Sequence, residues 1–480
     1  MSQISLYPHQ QKALDDTAGF DNVAYYLDMG LGKTFVGSEK MVSIRNKVNL
    51  VICQKSKVQD WIDHFKEYYA THDLDYMQKD FIFDLTNKKQ MFGFMGQAKE
   101  ATERVFIEDE FTGQSYEQEN LYPFMLLGVI NYELAWRRKD LLNLQDFTLM
   151  LDESSLIQNQ KAKQTKFILK MKPKNVILLS GTPSAGKYEN LWSQIHLIGW
   201  DVSEQVYNNQ YVNWKTIDAS GFKHKIVDKV DPYKNVDRLK RKLRYHGAVF
   251  MKTDEAFELP EQVFTKIRVD VSPAYKKFEK NKVIVMDKLN LCEFKDDSDF
   301  YGKDITPRVE LVGDTQLTER LCKRQLCGIY SKEKLDAFRD LVQSTKDRLI
   351  VFYNFNDEVD ALKKICTALE RPISIVNGAE KDLTAYEQED DSVTLIQYQA
   401  GAMGLNLQRA NKIVYYTIPD KSELFEQSKK RIHRIGQKET CFYYLMLVKN
   451  SVETNEILPT LKIRKEWTDE LFEEDEKENS

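Results

Sequence analysis

The sequence predicts an α/β protein in which two parallel-sheet domains follow one another, with helical protrusions between them. Short apolar runs that end in polar loops alternate with helical segments up to residue 200, and the same alternation returns after residue 330. The stretch between them, residues 201–330, is charged, rich in lysine and helical in pattern. Parallel strands need a crossover connection, usually a helix, so each alternating stretch indicates one parallel sheet.

The composition agrees with a soluble globular chain. Of 480 residues, 42% are hydrophobic and 30% are charged, and six scattered cysteines favour reduced core thiols over a zinc site. The N-terminal sequence lacks a basic segment followed by an apolar core, and the apolar run 124–130 is too short to cross a bilayer. We therefore expect a cytoplasmic protein without a membrane segment.

The net charge of −5 does not decide whether the chain binds nucleic acid. Residues 466–480 contain eight acidic residues and one lysine, which leaves the rest of the chain near +2. We expect this acidic end to be a disordered, solubilising tail. The predicted organisation is a first domain over 1–200 with a hairpin or loop inserted at about 71–120, helical protrusions and a linker over 201–330, a second domain over 331–455 and an acidic tail over 456–480.

A glycine-rich loop follows the first apolar run, residues 23–27. In the sequence LDMGLGKT, the residues with phosphate-binding chemistry are Gly30, Gly32, Lys33 and Thr34. Glycines let backbone N–H groups turn towards phosphate oxygens, a lysine adds positive charge, and a threonine hydroxyl can ligate Mg²⁺. Leu27 stands where the strict pattern has a further glycine, so an ordinary glycine turn is the competing interpretation. The loop predicts a site for a nucleoside triphosphate.

A second apolar run, residues 147–151, delivers Asp152 and Glu153 to the end of a strand. An aspartate there can hold Mg²⁺ through water, and a glutamate can polarise the attacking water. Two adjacent carboxylates are usually a solvated turn, but downstream of a phosphate loop they favour a hydrolysis site. Ser180 and Thr182 follow another strand and are placed to sense the γ-phosphate.

The other elements of the first half carry polar residues at comparable positions. Pro8 can begin a helix with Gln10 on its first turn, where an amide could contact adenine or be an ordinary helix residue. The strand 50–53 ends just before Lys55 and Ser56, which suit phosphodiester contact or a plain loop. Further elements are predicted as helices over 35–45, 58–69, 134–144 and 161–171 and strands over 124–130 and 176–179.

The rest of the chain divides into a helical and an alternating part. Helices are predicted over 236–243 and 274–288 within the protrusions. The second sheet is predicted from strands over 348–353, 373–376, 393–396, 413–416 and 442–448.

Two stretches of the second half carry a family resemblance: YQAGAMGLNL, residues 398–407, and QSKKRIHRIGQ, residues 427–437. With the loops above, they make the chain resemble superfamily 2 helicase-type ATPases, specifically the Swi/Snf-like group of double-stranded DNA translocases. The run RIHRIGQ discriminates this group best, and the resemblance spans roughly residues 6–450. Further agreement lies at Leu259-Pro260, Arg324-Gln325 and Asn377-Gly378.

The resemblance implies two tandem RecA-like domains that use ATP and Mg²⁺. It implies Glu153 as the general base, and Arg431 and Arg434 as arginine fingers that reach the γ-phosphate. The residues implied for ATP are Gln10, Gly30, Gly32, Lys33, Thr34 and Gly404, and those implied for Mg²⁺ are Thr34 and Asp152.

The resemblance also implies DNA contacts in both domains. Backbone N–H groups and short polar side chains grip phosphates without reading bases, so no sequence specificity is expected. The implied residues are Lys55, Ser56, Asn131 and Tyr132 in the first domain and Asn377, Gly378, Gln399, Ala400 and Gly401 in the second. Departures from the group pattern are Gln397, Ala402, Ser154-Ser155 and Met251-Lys252-Thr253.

These features together favour an ATP-dependent translocase or helicase that acts as a monomer on duplex or branched DNA. Because the predicted motor occupies nearly the whole chain, we expect a compact bacterial or bacteriophage enzyme for fork remodelling or branch migration, with replication or recombination proteins as partners. An RNA unwinder of the same fold and an ATP-driven remodeller of a nucleoprotein or polymerase complex are the alternatives.

Overall fold

The computed structural model describes residues 5–69, 77–108, 115–119, 124–219, 222–287, 308–401 and 405–472. The chain forms two compact units, one of residues 1–256 with 466–480 and one of residues 257–465. Each unit is built around one seven-stranded sheet. The predicted α/β fold with two parallel-sheet domains in tandem is therefore confirmed.

The first unit holds a fully parallel sheet, in the order β11-β1-β8-β7-β2-β6-β3. Its strands, with two separate hairpins, are β1 (Asn22–Leu27), β2 (Val48–Cys53), β3 (Ile82–Asp84), β4 (Arg104–Glu108), β5 (Ser115–Glu119), β6 (Leu126–Asn131), β7 (Phe147–Asp152), β8 (Asn175–Leu179), β9 (Trp214–Ala219), β10 (Phe222–Val227) and β11 (Ala248–Met251). Its helices are α1 (Pro8–Asp15), α2 (Lys33–Ile44), α3 (Val58–Tyr68), α4 (Lys88–Thr102), α5 (Tyr132–Ala135), α6 (Lys163–Ile168), α7 (Trp192–Leu197), α8 (Glu204–Tyr211), α9 (Val236–Tyr245) and α10 (Thr253–Ala256).

The second unit repeats this plan in the order β12-β20-β19-β15-β18-β16-β17, with β17 alone antiparallel to its neighbour within that sheet. Its strands, with one further hairpin, are β12 (Gln262–Val269), β13 (Val283–Asp287), β14 (Arg308–Val312), β15 (Leu349–Tyr353), β16 (Ile373–Val376), β17 (Lys381–Asp382), β18 (Val393–Gln397), β19 (Lys412–Tyr415) and β20 (Cys441–Val448). Its helices are α11 (Pro273–Asn281), α12 (Gln316–Gly328), α13 (Lys332–Gln343), α14 (Asn356–Ala368), α15 (Thr384–Gln388), α16 (Tyr398–Gly401) and α17 (Ser422–Lys429). Helix α18 (Leu458–Phe472) begins in this unit, and its residues from 466 onward belong to the first unit.

Sheet topology brings the loops of interest together in the first unit. Strands β2, β6 and β8 are buried along their whole length, which explains why they read as continuous apolar runs. Because the strands are parallel, their carboxyl ends lie at one edge, where ligands bind in open α/β sheets. The loops at this edge begin at Asp28, Gln54, Tyr132, Glu153 and Ser180.

The stretch 201–330 is less helical than its composition predicts. Residues 248–251 form β11 beside β1, and residues 262–269 form β12 beside β20, so each large sheet takes an edge strand from this stretch. The predicted helix over 274–288 ends at Asn281, because Lys282 adopts a left-handed backbone with φ of 60° and the β-branched run after it forms β13. Tertiary pairing thus overrode a helical composition.

Three other local predictions also need correction. The predicted helix over 134–144 is reduced to α5 and a single 3₁₀ turn, and the one over 161–171 to α6. Within the insertion at 71–120, β3 joins the large sheet and α4 follows it, while β4 and β5 form the expected hairpin. Residues 70–76, 109–114 and 120–123 lie outside the described part.

The acidic C-terminal segment is helical over much of its length. Helix α18 reaches Phe472, and the Trp467 ring packs edge-on against Tyr188 and Tyr233. The Tyr188 hydroxyl donates a hydrogen bond of 2.8 Å to the Trp467 carbonyl. The expectation of a disordered tail is therefore wrong up to Phe472, because Trp467 packs against two buried tyrosines. Residues 473–480 lie outside the description. No helix among the described residues combines the length and apolar character needed to cross a membrane.

A fully buried carboxyl group lies in the core of the second unit. The Glu358 Oε2 atom accepts hydrogen bonds of 2.9 to 3.0 Å from the backbone N–H groups of Asn354 and Phe355 and from the Thr417 hydroxyl. A Cβ atom on Gly328 would lie 1.9 Å from Glu358 Oε1, so this glycine makes room for the carboxyl group. Burial raises the pKa of Glu358 from 4.5 to about 7.

We expect Glu358→Gln to weaken the pH dependence of stability. The folded protein holds a proton on Glu358 that the unfolded chain has released, so stability present below pH 4.5 is lost as the pH rises towards 7, by up to about 3 kcal/mol. Urea unfolding at pH 5 and pH 8 measures the effect. Replacement of the exposed Glu333 by glutamine serves as control. If Glu358→Gln loses as much stability between pH 5 and pH 8 as the wild type does, Glu358 is not the group that causes the loss.

Candidate active site

The phosphate loop joins β1 to α2. Gly30 and Gly32 have φ angles of 92° and 74°, a left-handed backbone that glycine adopts without strain. A Cβ atom on Gly32 would lie 2.1 Å from Gln10 Nε2, so a larger residue would not fit. Lys33 begins the helix, and its Nζ donates to two loop carbonyl groups at 2.8 and 3.3 Å. Thr34 follows in the first turn, beside N–H groups that suit a phosphate.

Gln10 packs directly on this loop. Its Nε2 donates to the Leu31 carbonyl at 3.1 Å, and its Oε1 accepts from the Tyr7 N–H at 2.9 Å. The His9 ring contacts the same Leu31 carbonyl at 3.0 Å. The start of α1 therefore braces the phosphate loop, a role that sequence analysis did not foresee. The adenine contact of Gln10 stays a prediction.

Asp152 and Glu153 lie at the carboxyl end of β7, which pairs with β8 and β2. The Asp152 Oδ2 atom accepts a hydrogen bond of 2.9 Å from Trp61 Nε1. Burial raises the pKa of Asp152, and the Trp61 hydrogen bond and the Lys33 charge oppose that rise. Glu153 has a left-handed backbone with φ of 54°, an unusual conformation for glutamate that concentrates at functional sites.

The edge carries groups of the kinds that could hold a magnesium-bound nucleoside triphosphate. A Cβ atom on Gly181 would lie 3.4 Å from Lys33 Nζ, so the loop after β8 adjoins the phosphate loop. In that loop, Thr182 Oγ1 is buried without a hydrogen-bond partner among the described residues. A cation from Lys33, the Thr34 hydroxyl and the Asp152 carboxylate complete a donor set that fits phosphate oxygens and Mg²⁺.

A hydrogen-bond relay runs from the Asp-Glu turn to the loop after β8. The Ser154 hydroxyl donates to Gln194 Oε1 at 2.7 Å, and Gln194 Nε2 donates to the Pro183 carbonyl at 2.7 Å. Gln158 reaches the same carbonyl at 2.9 Å. Ser154, a departure from the family pattern, thus joins the two loops through Gln194, beside the direct bond from Gln158. This relay suits the predicted sensing of the γ-phosphate by this region.

The side chain of Tyr132, a residue predicted at a DNA contact, is engaged inside the protein, and a contact through its backbone stays a prediction. Tyr132 is fully buried, and its hydroxyl donates to the Asp152 carbonyl at 3.0 Å. Burial raises its pKa well above the usual value, so the hydroxyl keeps its proton. A side chain buried in this way cannot reach a DNA phosphate. Tyr132 instead positions the strand end that carries Asp152 and Glu153.

We expect Tyr132→Phe to lower ATP turnover several-fold and stability by about 1 kcal/mol, because the Asp-Glu turn loses one buried hydrogen bond. Steady-state hydrolysis and urea unfolding measure both effects. Tyr207→Phe is the matched control, since it removes a buried tyrosine bond of 2.7 Å to the Tyr188 carbonyl. Equal turnover in the two variants would show that Tyr132 has only a structural role.

The other predicted DNA residues of the first unit differ in exposure. Lys55 and Ser56 are exposed on a single turn after β2, at the ligand edge of the sheet. Asn131 is buried at the end of β6, and its Nδ2 donates to Glu133 Oε2 at 2.6 Å. Lys55 and Ser56 are thus accessible to a phosphate backbone, whereas the Asn131 side chain serves the local turn.

Two contacts at this edge escaped sequence analysis. Trp61 on α3 contacts Asp152, and the sequence around Trp61 does not indicate a partner so distant in the chain. Thr253 donates to Asp28 Oδ2 through its N–H and its hydroxyl, at 3.2 and 3.0 Å. Thr253 belongs to Met251-Lys252-Thr253, one of the departures from the group pattern, and here it holds the start of the phosphate loop.

In the second unit, Arg431 and Arg434 lie on the loop after α17. Arg431 is buried, whereas Arg434 is half-buried. No hydrogen-bond or ion-pair partner of the Arg434 guanidinium exists within the described ranges, and burial lowers its pKa from the usual value. The loop is held by His433, which contacts the Pro260 carbonyl at 2.8 Å, and by Gln437, which donates to two carbonyls at 3.0 and 3.1 Å.

The predicted DNA residues of the second unit lie in two loops. Asn377 Oδ1 accepts from two backbone N–H groups at 2.8 Å each, which shapes the turn that exposes Gly378. Gln399 is exposed on α16, Ala400 is buried, and Gly401 ends that helix. Gly404, predicted to contact ATP, lies outside the described residues, as does Ala402.

Comparisons with known families match both halves of the chain. The SNF2-related domain matches residues 26–322, more than half of the sequence. The helicase conserved C-terminal domain matches residues 333–436. The chain therefore carries both domains of a helicase-type ATPase.

Curated relatives are distant in sequence but similar over long stretches. Protein CHROMATIN REMODELING 5 of Arabidopsis thaliana is 23% identical, over 94% of this chain and 25% of its own length. The uncharacterized ATP-dependent helicase MG018 of Mycoplasma genitalium is 22% identical, over 71% of this chain and 32% of its own length. The chain thus spans about a quarter to a third of these two relatives. Among solved structures, the Sulfolobus solfataricus SWI2/SNF2 ATPase core in complex with dsDNA is 17% identical, with a TM-score of 0.40, over 97% of this chain and 93% of that one.

Proposed function

Because this chain belongs to the SNF2-related family, we propose that it hydrolyses ATP to translocate on duplex or branched DNA, independently of base sequence. The observation that carries the proposal is the ligand edge of the first sheet. There the phosphate loop after β1 and the buried Asp152 and strained Glu153 after β7 lie at the same edge of the sheet, with only β8 between the two strands.

The chemistry assigns a separate task to each side chain. Bound ATP with Mg²⁺ supplies the phosphoryl group and the cation that neutralises its charge. Lys33 and the N–H groups of α2 bind the phosphates, and Thr34 and Asp152 hold the cation. Glu153 accepts a proton from the attacking water, and Trp61 keeps the Asp152 carboxylate in place.

The second unit contributes positive charge in this proposal. Arg434 combines a half-buried position with the lack of a partner among the described side chains, so a phosphate would satisfy it. A guanidinium that binds ATP but not ADP and phosphate makes the second unit sensitive to hydrolysis. Exposed Lys55, Ser56, Gly378 and Gln399 then grip the phosphate backbone without reading bases.

The proposal also covers the process in which the protein works, its compartment and its partners. We assign the activity to fork remodelling or branch migration by a cytoplasmic monomer, together with replication or recombination proteins. A preference for branched DNA as activator is what this assignment requires.

The test is steady-state ATP hydrolysis at one salt concentration with no nucleic acid, single-stranded DNA, duplex DNA, a four-way junction or duplex RNA. We expect duplex DNA or the junction to stimulate most, and a junction that exceeds the duplex would support fork remodelling. Stimulation by RNA above DNA would replace the proposal with RNA unwinding. Absence of stimulation by any nucleic acid would replace it with a protein-activated remodeller.

A further inference from the structure

A strongly basic surface lies on the first unit, formed by residues that carry none of the roles assigned above. Residues 211–245 contain ten lysines and arginines and four aspartates, a net charge of +6 in a chain whose net charge is −5. We use the name basic ridge for six of these residues: Lys223, Lys225, Lys234, Arg238, Arg241 and Lys242. Lys242 is half-buried, and the other five are exposed.

The first part of the basic ridge is the β9–β10 hairpin. Both faces of β9 are exposed: Trp214 and Ile217, three residues apart and so on opposite faces, are each 39% exposed. Lys225 pairs with Thr216 and therefore lies on the Trp214 face of the ribbon. A two-stranded ribbon with both faces in solvent buries too little surface to be explained by core packing.

The second part is helix α9, which presents a basic stripe. Arg238, Arg241, Lys242 and Tyr245 recur at the spacing of one helix face, and Tyr245 is 71% exposed. Leu239 and Leu243 occupy the buried face. The helix is therefore anchored by one side and offers cations beside an aromatic ring on another.

Hydrogen bonds join the hairpin and the helix into one surface. The Asn213 N–H donates to the Pro232 carbonyl at 2.9 Å, and the Lys234 N–H donates to the Tyr211 carbonyl at 3.1 Å. The Asn235 side chain donates to the Gln210 carbonyl at 2.8 Å, immediately before α9. The base of the ribbon thus adjoins the first turn of the helix.

Acidic groups offset only part of this charge. Asp228 forms an ion pair of 3.7 Å with Lys215, which is not counted in the ridge. Asp218 stands opposite Lys223 in the ribbon, and Asp237 lies on the first turn of α9. The ridge remains positive, because its six cations outnumber these aspartates and Lys225 stands opposite the uncharged Thr216 in the ribbon.

We propose that the basic ridge binds the phosphate backbone of duplex DNA, as a contact additional to those at the ligand edge of each sheet. Charge complementarity favours a polyanion, and a two-stranded ribbon and a helix are both of a width that a DNA groove admits. The exposed Trp214 and Tyr245 rings add surface that can pack on sugars. The inference rests on DNA being the ligand in the proposed function, and it adds a second place where that ligand is held.

The experiment measures the affinity of the full chain for a labelled duplex DNA by fluorescence anisotropy, without nucleotide, at about 50 mM and about 200 mM salt. The ridge variant is Lys223→Glu/Lys225→Glu/Arg238→Glu. The matched control reverses three exposed lysines elsewhere on the same unit, Lys170→Glu/Lys172→Glu/Lys174→Glu, and so changes the net charge equally. A milder variant, Lys223→Gln/Lys225→Gln, and thermal unfolding of each protein separate lost binding from lost folding.

We expect the ridge variant to bind duplex DNA at least about tenfold more weakly than the control. The negative slope of log affinity against log salt should become shallower by about 2 to 3. Equal affinities and slopes in the two variants would overturn the proposal. Unchanged DNA affinity with lost binding of poly-glutamate would overturn it in favour of an acidic protein partner. If the wild-type protein binds duplex DNA through the ridge but DNA does not stimulate its ATP hydrolysis, the proposed function is contradicted and the ridge proposal is retained.

Discussion

Replacement of Glu153 by glutamine is expected to lower ATP hydrolysis by roughly 10² to 10⁴-fold, while ATP affinity stays within about threefold of wild type. The amide has nearly the same shape as the carboxylate but cannot accept a proton from water. Because the side chain keeps its size, the left-handed turn at φ of 54° should persist. Saturating steady-state hydrolysis with duplex DNA measures turnover, and titration of a fluorescent ATP analogue measures affinity.

The control for this prediction is Glu67→Gln, which removes an exposed carboxylate from α3 of the same unit. It should hydrolyse ATP at the wild-type rate. Wild-type hydrolysis by Glu153→Gln would exclude Glu153 as the general base. Loss of ATP affinity in that variant would indicate a role in binding rather than in the chemical step.

Replacement of Arg434 by alanine is expected to reduce DNA-stimulated turnover on the order of 10³-fold, the lower end of the range for arginine fingers. The guanidinium is half-buried and unpartnered within the described chain, so its loss breaks no internal ion pair. We therefore expect little change in stability. Arg434→Lys should recover only part of the rate, because a lysine cannot contact phosphate oxygens in a bidentate manner. Hydrolysis rates and urea unfolding of the two variants test these expectations together.

Arg339→Ala is the matched control, because Arg339 pairs with Asp336 on α13 and has no assigned role in the reaction. Arg431→Ala provides a contrast: Arg431 is buried, so its loss should destabilise the second unit as well as lower turnover. If Arg434→Ala and Arg339→Ala hydrolyse ATP equally fast, the finger assignment fails.

The sequence by itself determined the features that depend on neighbouring residues. Continuous apolar runs marked the strands β2, β6, β7 and β8, because a strand covered on both faces needs apolar side chains throughout. Gly30 and Gly32 marked the left-handed turns of the phosphate loop for a similarly local reason. The fold class and the family followed from these local signals, whereas the roles of the named site residues stay predictions.

Only the tertiary structure decided which distant residues meet. Tyr132 follows β6, yet its hydroxyl contacts the end of β7, although β2 lies between these two strands in the sheet. The hydrophobic periodicity of each segment does not predict this strand order. Trp61 and Thr253 reach the same edge from elements that sequence patterns left without a role. Edge strands β11 and β12 lay inside a charged stretch, and only their pairing with β1 and β20 identified them. Which distant residues meet depends on the free energy of the whole packed unit. The pattern of neighbouring residues in the sequence contains little information about that free energy.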